Sequence, residues 1–231
     1  MATELLFARS LPNAEVDALV PAAAGRVYDR LLDDILAGHV PAGARLKVTD
    51  LAKRYGTSTN PVREALQQLR GEGFVVIEPN RGARVRPIDE SFVRDMYEIN
   101  VLIEPYLVRW FADYATDADI LRMEAIQDEI EALGVERHDR YDQLDEQFHR
   151  AVYDRHYNRN AVELWHRYRK TLGTISRGLT IGRSRYAARQ VEHRELIRCL
   201  KEQDAVGAVA AIETHVRGSG RYIIDLMRSE R

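Results

Sequence analysis

Apolar residues recur at three- and four-residue spacing along most of the chain, the period of an amphipathic α-helix. In the first third this pattern predicts a helix over about residues 25–37 and a second helix that Thr49 caps and Gly56 ends. A third helix is predicted to begin within Ser58–Pro61, because proline is tolerated only in a first turn. Its apolar stripe consists of Val62, Ala65, Leu66 and Leu69.

The pattern then changes to a period of two. The β-branched run Phe74–Ile77 and the alternating run Ala83–Arg86 flank a turn at residues 79–82, which predicts a β-hairpin. Three helices followed by a hairpin form a winged helix-turn-helix, a fold whose third helix can lie in the major groove of DNA.

From Asp89 onward the helical period returns and no convincing strand follows. Helices are predicted at about 90–115, 117–133, 137–156, 161–179, 183–201 and 205–228, with Pro105 expected to kink the first. The predicted fold is therefore mainly α: an N-terminal winged helix-turn-helix plus a C-terminal all-helical antiparallel bundle. The expected domains are an N-terminal arm (1–22), the winged helix (23–87) and the helical domain (88–231).

Composition and charge agree with this division. The 231 residues are 45% hydrophobic, which is normal for a globular protein. Residues 24–88 contain 11 Lys/Arg and 7 Asp/Glu, a net charge of +4, whereas residues 89–231 contain 22 and 26, a net charge of −4. A basic segment beside an acidic one suits a DNA-binding domain followed by a domain that does not touch DNA.

We expect neither a secretory signal peptide nor a membrane span in this chain. The single cysteine, Cys199, excludes an intrachain disulfide and fits a reducing compartment. No apolar run approaches the roughly 20 residues of a membrane span, and the N-terminus carries no basic stretch before an apolar one. We expect a cytoplasmic protein that does not bind membranes.

The winged helix carries the candidate DNA contacts. Polar residues at the start of a recognition helix can reach base edges, Arg63 can bind a guanine or a phosphate, and the hairpin tip can enter a minor groove. The candidates are Arg45, Thr49, Ser58, Thr59, Asn60, Arg63, Arg81 and Gly82. By periodicity alone, a small helical module with a solvated basic face explains these residues equally well.

Four residues of the helical domain have the chemistry of metal ligands. Asp145 and His149 are four residues apart and so share a helix face, and His193 and His215 lie on two further helices. Three imidazoles and a carboxylate can bind zinc or a similar divalent cation and leave positions open for water or a ligand. The alternative is that they are hydrogen-bonded core residues.

The string from Leu51 to Phe74 resembles the DNA-binding domain of GntR-family transcription regulators, above all Gly56-Thr-Ser-Thr-Asn-Pro-Val-Arg-Glu-Ala-Leu66 and Gly71-Glu-Gly-Phe74. The wing sequence Asn80–Val85 is also similar. Thr59 and Asn60 depart from the arginine and threonine that the family usually has there. The resemblance implies that both positions face DNA, so the operator sequence cannot be transferred from relatives.

The helical domain resembles the FCD effector domain of the FadR-type branch of the family. The similarity lies in Asp145-Glu-Gln-Phe-His149, Glu192-His-Arg-Glu-Leu-Ile197 and His215, and six helices favour the shorter, VanR-like version. It implies that Asp145, His149, His193 and His215 hold a divalent metal, here expected to be zinc. It also implies that a small-molecule effector, a carboxylic or sugar acid, binds at or beside the metal.

One departure affects the effector site. Asn100 stands where the family tends to have an arginine directed at the pocket. The effector then has three options: it relies on the metal, it uses Arg150 or Arg177, or it is less acidic than usual. Asn100, Arg150 and Arg177 are the candidate effector-binding residues.

Together these features predict a ligand-responsive repressor that binds a palindromic operator in double-stranded DNA as a homodimer. Two alternatives stay open. The helical domain of a constitutive DNA-binding protein would only dimerise, and its four polar residues would be core. A metal-dependent hydrolase would use the cation to activate water, although a winged helix would have no purpose in it.

Overall fold

The computed structural model describes residues 22–78, 82–134 and 139–229. The chain divides into two compact units between Arg86 and Pro87. Residues 1–21 of the predicted arm, and Arg81 at the predicted hairpin tip, lie outside the described residues. No helix in the described ranges is long and apolar enough to cross a membrane.

The first unit is a winged helix-turn-helix. Its elements are α1 (Ala22–Leu36), β1 (Arg45–Leu46), α2 (Val48–Tyr55), α3 (Thr59–Gly71), β2 (Val75–Glu78) and β3 (Gly82–Val85). The sheet is antiparallel with the order β1-β3-β2, and Val75 pairs with Val85 as Arg45 pairs with Arg84. Strand β1 was not predicted, because two residues are too few to show a period.

The turn between α2 and α3 confirms one prediction and corrects another. Gly56 ends α2 in the left-handed conformation (φ 64°, ψ 42°), which glycine adopts without a steric cost. The predicted cap at Thr49 is wrong: α2 begins at Val48 with Lys47 at the N-cap, and Thr49 lies within the first turn. Helix α3 begins at Thr59, inside the predicted window, with Ser58 at its N-cap.

The second unit contains helices and connecting turns but no strand among its described residues. It consists of α4 (Glu90–Tyr114), α5 (Asp117–Ala132), α6 (Asp139–Tyr153), α7 (Arg159–Arg177), α8 (Arg183–Lys201) and α9 (Ala205–Ser229). The mainly α fold class is confirmed, and most helix ends lie within about two residues of their predicted positions. Helix α6 is shorter than predicted and ends at Tyr153 rather than His156, while Pro105 lies inside the continuous helix α4.

The core of this unit combines large aromatic residues with a close helix contact. Tyr141, Phe148 and Trp165 are at most 1% exposed. Helices α4 and α9 lie close together at Gly220, where a Cβ atom would lie 2.7 Å from Cγ of Tyr97. The packing of α6, α8 and α9 brings their polar residues together inside the bundle.

Candidate DNA-binding face and metal centre

The N-terminal end of α3 presents polar side chains to solvent. Its stripe of Val62, Ala65, Leu66 and Leu69 is buried, and this burial turns the opposite side of the helix outward. Four predicted DNA contacts are therefore exposed on or beside the first two turns: Ser58, Thr59, Asn60 and Arg63. Polar residues so placed are what a recognition helix needs to reach base edges.

Two further predicted contacts meet at the sheet edge. The Arg45 guanidinium passes Gly82, where a Cβ atom would lie 3.8 Å from its Nε atom. Gly82 has φ +77°, a conformation that favours glycine. Arg45, Arg63 and Thr49 are exposed, and among the described residues neither guanidinium has an ion-pair partner. Both cations are available to bind phosphates.

In the second unit, three histidines converge in the bundle interior. His149 on α6, His193 on α8 and His215 on α9 are buried, and each offers a ring nitrogen within 4.8 Å of the other two. The ring centroids lie 4.9–5.2 Å apart. Asp145, also predicted as a ligand, is 4% exposed and places Oδ1 3.7 Å from Nε2 of His193. The structure thus brings all four predicted metal ligands together.

Neighbouring side chains orient two of the imidazoles. Nδ1 of His193 lies 2.9 Å from Oε1 of Gln127 on α5, and Nδ1 of His215 lies 2.8 Å from Oε2 of Glu192 on α8. Neither acceptor oxygen can donate, so both Nδ1 atoms carry the proton and both Nε2 atoms are free to ligate. The ring of Phe148 stacks on His193 at a centroid distance of 4.1 Å.

Arg185 extends this network towards α9. It donates to both carboxylate oxygens of Glu192 at 2.7 and 2.9 Å, and to Oγ of Ser219 at 2.8 Å. The guanidinium holds the carboxylate that in turn holds His215. Neither Arg185 nor Gln127 was singled out from the sequence, because nothing in a helical period marks an outer hydrogen-bond partner.

The electrostatics favour the protonation states that a cation needs. Burial lowers the pKa of His193 to about 3, and burial together with Arg169 lowers the pKa of His149 well below its usual value. Burial also lowers the pKa of His215, although Glu192 opposes this shift. Burial raises the pKa of Asp145, but Arg169 and the histidines outweigh it and hold that pKa well below its usual range. Neutral imidazoles and an ionised carboxylate are metal-binding forms.

Several buried atoms of this cluster lack a hydrogen-bond partner among the described residues. They are Oδ1 of Asp145, both ring nitrogens of His149, and Nε2 of His193. Buried polar atoms are rarely left unpaired in folded proteins, because each costs about 1–3 kcal/mol. One cation would satisfy atoms from three residues at once, so the residues present fit a divalent metal.

A cavity of about 690 Å³ opens beside the cluster. Asp145 and His215 line it, as do the predicted effector contacts Asn100 and Arg177. Arg150 is not among its lining residues: its side chain is 51% exposed and binds Asp154 at 2.9 Å. Helix α7 instead supplies Arg169, which forms an ion pair with Asp145.

Family comparisons agree with both units. A model of the FCD domain matches residues 95–218, and a model described as bacterial regulatory proteins, gntR family, matches residues 23–85. The chain belongs to the GntR family of bacterial transcription regulators, in the group that carries an FCD domain.

Individual relatives give the same result. The chain is 26% identical over 197 residues to the Nta operon transcriptional regulator of Aminobacter aminovorans. The matched region covers 82% of this chain and 89% of that protein. The chain is 23% identical over 208 residues to the galactonate operon transcriptional repressor of Escherichia coli K12, with 81% and 90% covered. Among solved structures, Lar, which controls the expression of the Listeria monocytogenes agr system, matches with a TM-score of 0.69 at 17% identity, covering 88% and 97%.

Proposed function

We propose that this DNA-binding transcription regulator is a repressor whose operator affinity responds to a small organic acid bound next to a divalent metal. The observation that carries the proposal is the convergence of Asp145, His149, His193 and His215 beside a cavity of about 690 Å³. Named repressors among the relatives, including that of the galactonate operon, support repression rather than activation. Because a regulator of this kind must reach chromosomal DNA, the proposal includes a cytoplasmic location.

The four residues would hold zinc or a similar cation. Their donors are nitrogen and oxygen, and Gln127 and Glu192 orient two of the histidines. A bound cation would supply a Lewis-acidic centre with open positions for an acid group. Since the four proposed ligands lie on α6, α8 and α9, an effector that binds there can change the packing of these helices.

The regulator would act as a homodimer on a palindromic operator. Helix-turn-helix proteins read two half-sites related by two-fold symmetry, with one recognition helix in each major groove. An effector that binds two arrangements of the helical domain unequally would shift their populations and so the spacing of the recognition helices.

The metal proposal is tested by elemental analysis of untagged protein purified without a chelator. We expect about one metal ion per chain, and its loss in His193→Ala. The exposed His39 provides a control variant, His39→Ala, which should retain the metal. Wild-type protein that contains no metal and takes up none from added zinc would refute the metal site.

The DNA-binding proposal is tested with an operator that the wild-type protein selects from a random duplex library. Thr59→Ala and Arg63→Ala should each weaken its binding, by about 1–3 kcal/mol if the side chain contacts a base edge. Arg217→Ala, an exposed change on α9, is the control. Unchanged affinity in both α3 variants, with circular dichroism of folded protein, would exclude α3 as the recognition helix.

A further inference from the structure

Arg189 is a cation at the cavity that has no direct ion-pair partner among the described residues. Its side chain is half-buried and lines the cavity, its guanidinium lies 5.9 Å from the centroid of the Tyr186 ring, and its charge acts on the Asp145 carboxylate without a direct contact. Within the described ranges it makes neither an ion pair nor a hydrogen bond. A partly desolvated guanidinium without an acceptor is costly unless an anion binds it.

The other cavity arginines are occupied or more exposed. Arg169 pairs with Asp145, so its charge is already balanced. Arg177 lies at the end of α7, is exposed, and donates to Oγ1 of Thr174 at 3.0 Å. Arg189 precedes His193 by four residues on α8, so both residues project from the same helix face towards the metal ligands.

Within the described part of the chain, Asn100 lacks a hydrogen-bond donor, whereas Arg189 lacks an acceptor. It is 3% exposed and lines the cavity from α4, and its Oδ1 atom has no donor among the described residues. Glu104, one turn further along α4, also lines the cavity. A buried amide oxygen requires an O–H or N–H group to compensate for its lost hydration.

We propose that Arg189 binds the acid group of the effector and that Asn100 selects effectors with a hydroxyl group near that acid. This assignment rests on the proposed function, because it takes the same cavity as the effector site. It makes the effector class a hydroxy acid, with a carboxylate on the α8 side of the cavity and an O–H donor on the α4 side.

The test uses matched acids that differ in hydroxyl groups. Malate with succinate, and gluconate with hexanoate, are titrated into metal-loaded and metal-stripped protein by isothermal calorimetry. Wild-type protein should bind the hydroxylated member of at least one pair about tenfold tighter. Arg189→Gln should weaken that binding by about tenfold to a hundredfold, the effect of one charge-assisted hydrogen-bonded contact.

Asn100→Leu should erase the preference within the pair while binding of the deoxy acid persists. Arg122→Gln removes an exposed guanidinium on α5 that does not line the cavity and should bind like wild type. Circular dichroism and metal content verify that each variant is folded.

Three results would overturn the assignment: wild-type affinity in Arg189→Gln, an unchanged preference in Asn100→Leu, or no binding of any of the four acids to wild type. Operator affinity is measured separately with and without the acid. Arg189-dependent binding that leaves operator affinity unchanged would refute the regulatory proposal but not the acid site. Acid binding that persists in a variant without metal and still depends on Arg189 would refute only the role of the metal in acid binding.

Discussion

Gln127 is a neutral residue that orients His193, one of the proposed metal ligands. Its Oε1 atom holds Nδ1 of His193 at 2.9 Å, and its side chain is fully buried. Outer hydrogen bonds of this kind raise metal affinity by fixing the ring and its tautomer. Gln127→Ala should therefore weaken zinc binding by about tenfold to a hundredfold.

Competition titration with a chromophoric chelator measures this change, and the exposed α5 variant Arg122→Ala serves as the control. Equal zinc affinity in Gln127→Ala and Arg122→Ala would show that His193 needs no outer partner.

Glu104 makes stability depend on pH. Burial raises its pKa to about 7, although the Tyr153 hydroxyl, which donates to it at 2.9 Å, opposes the shift. The folded protein then binds more protons than the unfolded chain between about pH 4.5 and 7. The free energy of unfolding should consequently fall as pH rises through this window, by on the order of 3 kcal/mol for this group.

Glu104→Gln stays neutral and can still accept from Tyr153. The stability of metal-free wild type minus that of Glu104→Gln, from urea unfolding at pH 5 to 8, should decrease with pH. A difference that is constant across this range would place the pKa of Glu104 near its ordinary value.

The residues of the site were only partly predictable. The four metal-ligand candidates could be chosen from the sequence because their residue types and spacing resemble the FCD motif, whereas helical spacing alone left a hydrogen-bonded core role open. Arg169, Arg189 and Gln127 could not, because charged and amide residues are common on solvated helix faces. Only the packing of α5, α7 and α8 shows which of them turn inward.

At the scale of elements, the contact between α4 and α9 depends on Gly220, which has no side chain. A Cβ atom at Gly220 would lie 2.7 Å from Cγ and 3.0 Å from Cβ of Tyr97, closer than atoms normally approach. Gly220→Ala should destabilise the second unit by about 1–3 kcal/mol, because one helix must shift.

Gly173→Ala on α7 is the matched control. A Cβ atom there meets nothing within 4 Å, and alanine favours a helix by up to about 1 kcal/mol over glycine. Chemical unfolding of both variants should give opposite signs. Wild-type stability in Gly220→Ala would mean that α4 and α9 can shift apart without a loss in the free energy of unfolding.

Long periodic helices were the most predictable elements. α8 runs from Arg183 to Lys201 as the sequence predicts, since glycine and acidic breaks flank a sustained helical period. The start of α2 was less predictable. Thr49 is a residue type that often caps helices, but the N-cap lies two residues earlier, at Lys47. A cap depends on backbone angles that side-chain preference fixes only weakly.

For the whole molecule, metal binding should raise thermal stability by mass action. A ligand that binds only the folded state at a hundred times its Kd contributes about 2.7 kcal/mol. Chelation should therefore lower the Tm of the helical unit, and added zinc should restore it in wild type but not in His193→Ala. Scanning calorimetry measures both effects; equal zinc-induced shifts in wild type and His193→Ala would contradict the assigned ligands.

The spacing of the histidines along the chain has a consequence for folding. His193 follows His149 by 44 positions, and His215 follows His193 by a further 22. A cation that joins them closes two long loops, as a disulfide would, in a chain whose single cysteine cannot form one within the molecule. Such a metal bond would be reversible and would depend on metal supply, so the cell's free zinc concentration would then set how strongly the three helices are held together.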